Sequence, residues 1–490
     1  MAESTIAVDR DGGKKPYIPL ERGWWRLPLF YLLTLSIVGL ELYPFLAISI
    51  AFLAYQWRHD RYNFLIMLTI LWGGFGFFSV ASFSIYNIAL LASIVLWFVM
   101  RKPPILKRTL LAILLYFAFM LIIAMLSVES MKVQFLMMSR YWLILYIIVP
   151  FAIFSGHSFD FYVFLQKLMP FALMIGIFYI LDAYIISGHI LIPNDTGLNN
   201  STFFSPAIHF FSGIVYRIYP TGLFFYSLLF IPLVMNYSLR WWQWCIFIGS
   251  LAACQTFTVI IGFAVVYVVF KGSFKQICKW CFVGIIAFVS IYLIDGLLPK
   301  VERGESQQSS LRIKSSIDQF IDLYNAVDEE DIAEFGSGRM AQILPKTEIV
   351  SRENRELIGL GFLHPSKTTL NQYIINNELY TDVEKSEEVA TGVEVTQIQV
   401  YITMGWLGVF VVTLFYLYLY FTIRKFPHSY YFLSVLALNF MWGFGGFAGI
   451  YVAEGCMTIG ISYAAIILSE RERLPGFNCQ WLKERRKRLF

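Results

Sequence analysis

Apolar stretches separated by short polar turns repeat along most of the 490-residue chain, at roughly 28–40, 43–57, 62–80, 84–100, 109–127, 140–154, 168–186, 218–238, 242–254, 256–270, 280–298, 397–422, 430–447 and 451–468. A helix needs about 20 apolar residues to cross the hydrocarbon of a bilayer, and the longer stretches approach that length. Two pairs, 28–40 with 43–57 and 242–254 with 256–270, have members too short for it. Each pair reads either as a hairpin of short helices or as one long tilted helix. The pattern predicts an all-α polytopic membrane protein with about 12–14 transmembrane helices.

Charge favours the hairpins. With a cytoplasmic N-terminus and both pairs folded back, 25 of the 28 Lys and Arg outside residues 299–395 fall in the segments 1–27, 58–61, 101–108, 155–167, 239–241, 271–279, 423–429 and 469–490. The exceptions are Lys132, Arg140 and Arg217. Such a bias follows the positive-inside rule and predicts that both termini are cytoplasmic. The tail Lys483-Glu484-Arg485-Arg486-Lys487-Arg488 then reads as an anchor at an anionic inner leaflet and not as a nucleic-acid patch.

One segment departs from the pattern. Residues 299–395 carry 18 Asp or Glu against 10 Lys or Arg, a net charge of −8, while the rest of the chain sums to +13. This is a large extracytoplasmic loop by expectation. Within it, 309–326 places Leu311, Ile313, Ile317, Phe320, Ile321 and Tyr324 at helical spacing, which predicts a short amphipathic helix on the outer surface. The expected organisation is a cytoplasmic tail (1–27), a bundle of about eleven spans (28–298), the loop (299–395), about three further spans (396–468) and a basic cytoplasmic tail (469–490).

Composition agrees: 58% of residues are hydrophobic and 14% charged, more apolar surface than a soluble core could hide. The polar, basic first 26 residues lead into an apolar run with no small-residue cleavage site, so no removable signal is expected. Six cysteines lie in or beside apolar runs or in the tail, and none in the acidic loop. Cys278 and Cys281 have a C-x-x-C spacing without a second ligand pair, which reads as two small residues entering a helix. The acidic cluster Asp328-Glu329-Glu330-Asp331 reads as a solvated turn, since calcium and magnesium sites want spaced ligands.

Ionisable residues at the margins of apolar runs are costly in lipid and so are candidates for function. On the expected topology Glu41, Glu129, Arg140, Asp182, Arg217, Asp295, Glu394 and Glu454 all lie at outer ends, with Glu41 and Asp295 best read as charges marking helix ends. Arginines there oppose the inside-positive bias, which draws attention to Arg140 and Arg217.

Four stretches resemble motifs of one family. Arg217-Ile218-Tyr219-Pro220-Thr221-Gly222 opens an apolar run; Gly336-Ser337-Gly338-Arg339 and Leu357-Ile358-Gly359-Leu360-Gly361-Phe362 follow in the acidic loop. Gly392-Val393-Glu394 leads through Thr403-Met404-Gly405-Trp406-Leu407-Gly408 into the next span. In this order and spacing the chain resembles the O-antigen polymerase and ligase superfamily. The ligases carry a catalytic histidine eleven residues before the first glycine of the G-x-x-G, a position held here by Glu394. Two features depart from the family: Gln255-Thr256 stands where a Ser-Arg pair is frequent, and no Asn-x-x-Leu follows the catalytic position.

The resemblance implies transfer of a glycan from an undecaprenyl-diphosphate-linked donor to a lipid-linked acceptor at the outer face of a bacterial inner membrane. A chain-length regulator and a flippase are the implied partners, and no cofactor or nucleic acid is implied. The residues suit this chemistry on their own terms. Planar guanidinium groups of Arg217 and Arg339 can hold a departing diphosphate without a metal, and Glu394, partly desolvated, can take the proton of the attacking hydroxyl. His364 is a rival base, a loop histidine titrating near neutrality. Arg140, His364, Gly359 and Gly361 are the expected substrate-binding positions. His209 is a further loop histidine that could approach the outer face, and a salt bridge within the acidic loop is the plain alternative for Arg339. Glutamate in place of histidine favours a polymerase over a ligase. A transporter or flippase of lipid-linked sugar is the rival class; it commonly shows internal repeats and broken helices, and the sequence displays neither.

Overall fold

The computed structural model describes residues 17–40, 42–74, 79–80, 83–84, 104–126, 147–154, 157, 159–186, 190–192, 233, 237–254, 286, 289–290, 293, 301–303, 306–308, 347, 350–361, 396–424, 426, 429–444 and 453–469. Their principal helices are α1 (Arg26–Gly39), α2 (Leu46–His59), α3 (Arg61–Gly74), α4 (Pro104–Met125), α5 (Val149–Ile153), α6 (Phe161–Leu181), α7 (Trp241–Cys254), α8 (Thr396–Ile423), α9 (Ser429–Phe444) and α10 (Ala453–Ser469). The molecule is mostly helical. Among the described residues three helical stretches, Lys107–Met125, Phe161–Ile186 and Gln397–Ile423, are long and apolar enough to cross a membrane, and Arg26–Gly39, Arg61–Leu71 and Ile459–Ser469 are shorter apolar helices. The chain is therefore compatible with an all-α membrane protein.

Local chemistry sets several helix starts. Asp60 accepts from the backbone N–H of Tyr62 (3.0 Å) and Asn63 (3.2 Å), and Asp160 from Tyr162 (2.8 Å) and Val163 (3.1 Å). Each satisfies donors that the first turn of α3 or α6 would leave orphaned. Proline opens α4 at Pro104, where its missing N–H costs nothing. The run expected to continue to residue 80 ends as a helix at Gly74, and Ser79–Val80 (β1) pairs antiparallel with Phe83–Ser84 (β2). Three glycines at 73, 74 and 76 explain the early stop, since each weakens a helix by about 1 kcal/mol relative to alanine. A second hairpin, Val301–Arg303 (β3) with Ser306–Gln308 (β4), opens the acidic segment, where only helix and loop were expected.

The centre of the bundle is α6. Within its most apolar window 61% of residues are buried, against 39% for those of α4 and α8. It packs on α1, α3, α7 and α10, while α4 lies against α8, α8 against α9, and α9 against α10. The exposed flanks of α4 (Leu111, Leu115, Ile122) and α8 (Phe410, Leu414, Phe421) are apolar, as lipid-facing surfaces are. Several polar groups inside the bundle are matched, while the buried hydroxyls of Ser49 and Tyr237 have no hydrogen-bond partner among the described residues. The Tyr31 hydroxyl donates to the Met67 carbonyl (2.9 Å), and Thr109 bonds the hydroxyls of Tyr418 (3.2 Å) and Tyr463.

The helix ends sort by charge. At one end Lys167 meets Asp60 (3.1 Å), and the Arg61 guanidinium donates to the Ile153 carbonyl (3.0 Å) while lying 3.6 Å over the Trp57 ring. The Tyr62 hydroxyl accepts from the Asp160 N–H (2.6 Å), and Trp24 approaches Trp242. The opposite end carries Asp182, the α4 terminus and the N-terminal third of α8.

One span is interrupted. Gly405, inside α8, has φ 62° and ψ −165°, so α8 is two helices, Thr396 to Met404 and Trp406 to Ile423, joined at a break. Unbroken helices were the sequence expectation, and Gly405 overturns it. The physical cause is the segment packed into the gap.

Candidate functional site

Two of the four motif stretches meet at that break. Residues 350–352 are helical, and the turn ends with Asn354 at φ 52°. The Asn354 N–H donates to the Ser351 carbonyl (3.0 Å) and the Arg355 N–H to the Val350 carbonyl (2.9 Å). This is the paired bonding of a Schellman helix end, with asparagine in the left-handed position it tolerates better than most residues. A tight turn follows, in which Ile358 and Gly359 both donate to the Arg355 carbonyl (3.2 and 2.7 Å).

The chain then enters the gap in α8. In a continuous helix Trp406 would donate to Ile402 and Leu407 to Thr403. Instead the Trp406 N–H donates to the Glu356 carbonyl (2.8 Å) and the Leu407 N–H to the Leu357 carbonyl (3.0 Å). The carbonyls so released are taken as well: Ile402 accepts from Leu360 (2.8 Å) and Thr403 from Gly361 (2.9 Å). Residues 356–361 are thus spliced between two successive rungs of the helix ladder. An unsatisfied backbone group in lipid costs several kcal/mol, which is why a break needs such an insert.

The glycines make the splice sterically possible. Gly359 (φ 71°), Gly361 (φ 86°) and Gly405 (φ 62°) all occupy the left-handed region. A Cβ at Gly359 would fall 2.5 Å from the Met404 nitrogen, and one at Gly405 would fall 2.5 Å from the Glu356 oxygen and the Ile358 nitrogen. These are backbone atoms that cannot swing aside. Around the junction Leu360, Thr403 and Met404 are buried, Gln399 donates to the Thr403 hydroxyl (3.1 Å), and Tyr401 packs on Trp406 with ring centres 5.0 Å apart. Trp406 and Leu357 are exposed, as expected of an aromatic and an aliphatic side chain at a membrane margin.

Arg355 extends the junction to a third element. Its guanidinium donates to the Leu126 carbonyl (2.8 Å), capping the C-terminal end of α4 where carbonyls lack helix partners. Sequence reasoning did not single out Arg355. The available signal was a pair of arginines, Arg352 and Arg355, directly ahead of the glycine motif.

Of the expected site residues, Gly359 and Gly361 are described and are brought together with the G-x-x-G stretch. Their N–H groups are both committed, to Arg355 and Thr403. Glu394, Arg217, Arg339, Arg140 and His364 lie outside the described residues, as do the amphipathic stretch 309–326 and the Cys278–Cys281 pair. In sequence, Glu394 stands two positions before the first residue of α8 and His364 three positions after Gly361.

Asp182 also lies at this end of the bundle. It has no solvent exposure, and its carboxylate accepts from the N–H groups of Leu191 (3.0 Å) and Ile192 (2.7 Å). Ser36 of α1 donates to the Leu191 carbonyl. The carboxylate and hydroxyl pin the chain returning from α6, which accounts for an acid at the end of an apolar helix without a catalytic role. Among the described residues no group of three His, Cys, Asp or Glu is placed to hold a metal ion. No protein-family model matches the sequence, and no curated protein matches it.

Proposed function

We propose that the chain is a glycosyltransferase of the bacterial inner membrane, a polymerase that extends an O-antigen or related surface glycan. The donor is a glycan on undecaprenyl diphosphate and the acceptor a lipid-linked repeat unit. The acceptor hydroxyl oxygen attacks the anomeric carbon as the bond from that carbon to the diphosphate oxygen breaks. The bonding pair leaves on the diphosphate, where Arg217 and Arg339 stabilise it, and the hydroxyl proton passes to Glu394. A single displacement inverts the anomeric centre and needs one base. The outer end of the bundle is the end bearing Gly405 and Asp182, and the basic turns around Asp60 and Lys167 face the cytoplasm.

The observation that supports this reading is the meeting of the L-x-G-x-G-F and G-x-x-G stretches in one backbone junction. They lie some forty residues apart in sequence. The test is the chain-length distribution of surface glycan made by Glu394→Gln and His364→Ala variants at normal protein levels. A positioned base contributes about 10²–10⁴ in rate, so Glu394→Gln should yield only unpolymerised repeat. Full-length glycan from Glu394→Gln with loss in His364→Ala would move the role to His364.

The break at Gly405 favours a second reading, a transporter or flippase for the same lipid-linked sugar, because interrupted helices are common in transporters. In those proteins the exposed helix ends face substrate or ion. Here the four backbone groups displaced at the break are bonded to residues 356–361, which supports the enzyme reading over the transporter.

A further inference from the structure

We infer that Gly359, Gly361 and Gly405 are positioning residues that hold the acidic segment and the N-terminal third of α8 in one rigid unit, instead of contacting substrate. Gly359 and Gly361 were expected to bind substrate, and glycine-rich turns that do so present free N–H groups to an anion. The geometry assigns them otherwise. The Gly359 N–H is spent on the Arg355 carbonyl and the Gly361 N–H on the Thr403 carbonyl, so neither is available to an anion. The absent side chains face backbone, Gly359 toward Thr403 and Met404 and Gly405 toward Glu356 and Ile358, so close approach of two chains is what glycine supplies.

Three elements are tied by this unit. The splice joins residues 356–361 to α8 on both sides of its break, and Arg355 joins the same segment to the end of α4. The helix Thr396 to Met404, cut off from the rest of α8 by the break, has its C-terminal carbonyls at Ile402 and Thr403 held by Leu360 and Gly361. Its direction is therefore set by the acidic segment and not by the long half of the span. In sequence Glu394 precedes that helix by two residues, so the splice fixes the helix to which that residue is joined. Small misplacements of a catalytic group cost large factors in rate, which gives such a unit its purpose.

The activity half of this inference rests on the proposed polymerase function; the structural half does not, and two readouts separate them. In a full-length chain with its six native cysteines replaced by alanine, the pair Leu357→Cys and Leu407→Cys is treated with a short bis-maleimide in membranes. The splice predicts efficient intramolecular cross-linking and its loss when Gly405→Ala is added. Absence of cross-linking in the parent pair would overturn the inference whatever the enzyme does. The second readout is steady-state kinetics with lipid-linked repeat for Gly359→Ala, Gly405→Ala and Trp406→Pro, which removes the bond to Glu356 together with the indole that packs on Tyr401. A positioning role predicts kcat lowered at least about tenfold with KM for the donor within about twofold of wild type. A rise in KM of tenfold or more at unchanged kcat, with cross-linking intact, would make the glycines substrate contacts and overturn it. Wild-type kinetics in a Gly405→Ala chain that no longer cross-links would overturn it too. A cross-linking parent protein that makes no glycan would sink the polymerase reading and leave the splice standing.

Discussion

Asp182 is a carboxylate with no solvent exposure at the end of an apolar helix, and a sequence reading alone has to hold it as a candidate for chemistry. Its bonds to Leu191 and Ile192, nine and ten residues away, give it a different purpose, and those partners follow from a chain reversal that no local pattern reveals. Asp182→Ala would strand two N–H groups at about 1–3 kcal/mol each. The detergent-solubilised variant should melt several degrees below wild type, with Asp182→Asn between the two because it keeps one acceptor. Loss of glycan synthesis at an unchanged melting temperature would instead mark Asp182 as catalytic. Gly359 and Gly361 are the converse case. As glycines in a motif they stood out in the sequence, yet what they approach, Thr403 and Met404, lies some forty residues on and could not be read from spacing. In sequence Arg355 is one arginine in a charged run, whereas in the fold its guanidinium caps α4.

Helices were the most legible elements, because apolar runs bounded by charge identify a span without any tertiary information. The runs at 28–40, 109–127, 242–254, 397–422 and 451–468 match α1, α4, α7, α8 and α10 to within a few residues at most of their ends. The break in α8 was hidden by its own composition, since glycine is frequent in membrane helices and Thr403 to Leu407 otherwise continues an apolar run. The β3–β4 hairpin was hidden because its strands are three residues each and carry no alternation to detect. A proline scan of α8 tests the break. Proline is tolerated at the first position of a helix and costs about 3 kcal/mol or more inside one. Trp406→Pro, at the start of the second half, should accumulate in the membrane at close to wild-type level, whereas Val412→Pro, six residues on, should be strongly depleted. Equal depletion of both, measured by immunoblot of membrane fractions, would mean that α8 is continuous.

At the scale of the whole molecule the proposal depends on which side of the membrane each end occupies. The proposal puts the end holding Asp60, Arg61 and Lys167 in the cytoplasm, because the positive-inside rule assigns cation-rich ends to that side. Asp328 in the acidic segment is then outside. A cysteine introduced by Asp328→Cys should react with a membrane-impermeant thiol reagent in intact cells, and reaction only after permeabilisation would reverse the orientation. Asp328, like the rest of 309–346, lies outside the described residues, so the orientation rests on charge and on the way helix ends gather. The chemistry is asked of the same outer end, where the splice joins the acidic segment to α4 and α8. The proposed polymerase lengthens a glycan with no metal and no soluble sugar nucleotide. Purified protein incubated with a native undecaprenyl-diphosphate-linked repeat unit in the presence of a chelator tests it most directly. The account predicts a ladder of lipid-linked oligomers spaced by one repeat, absent with Glu394→Gln; unchanged monomer from well-folded wild-type protein, or substrate moved across a vesicle membrane without elongation, would contradict it.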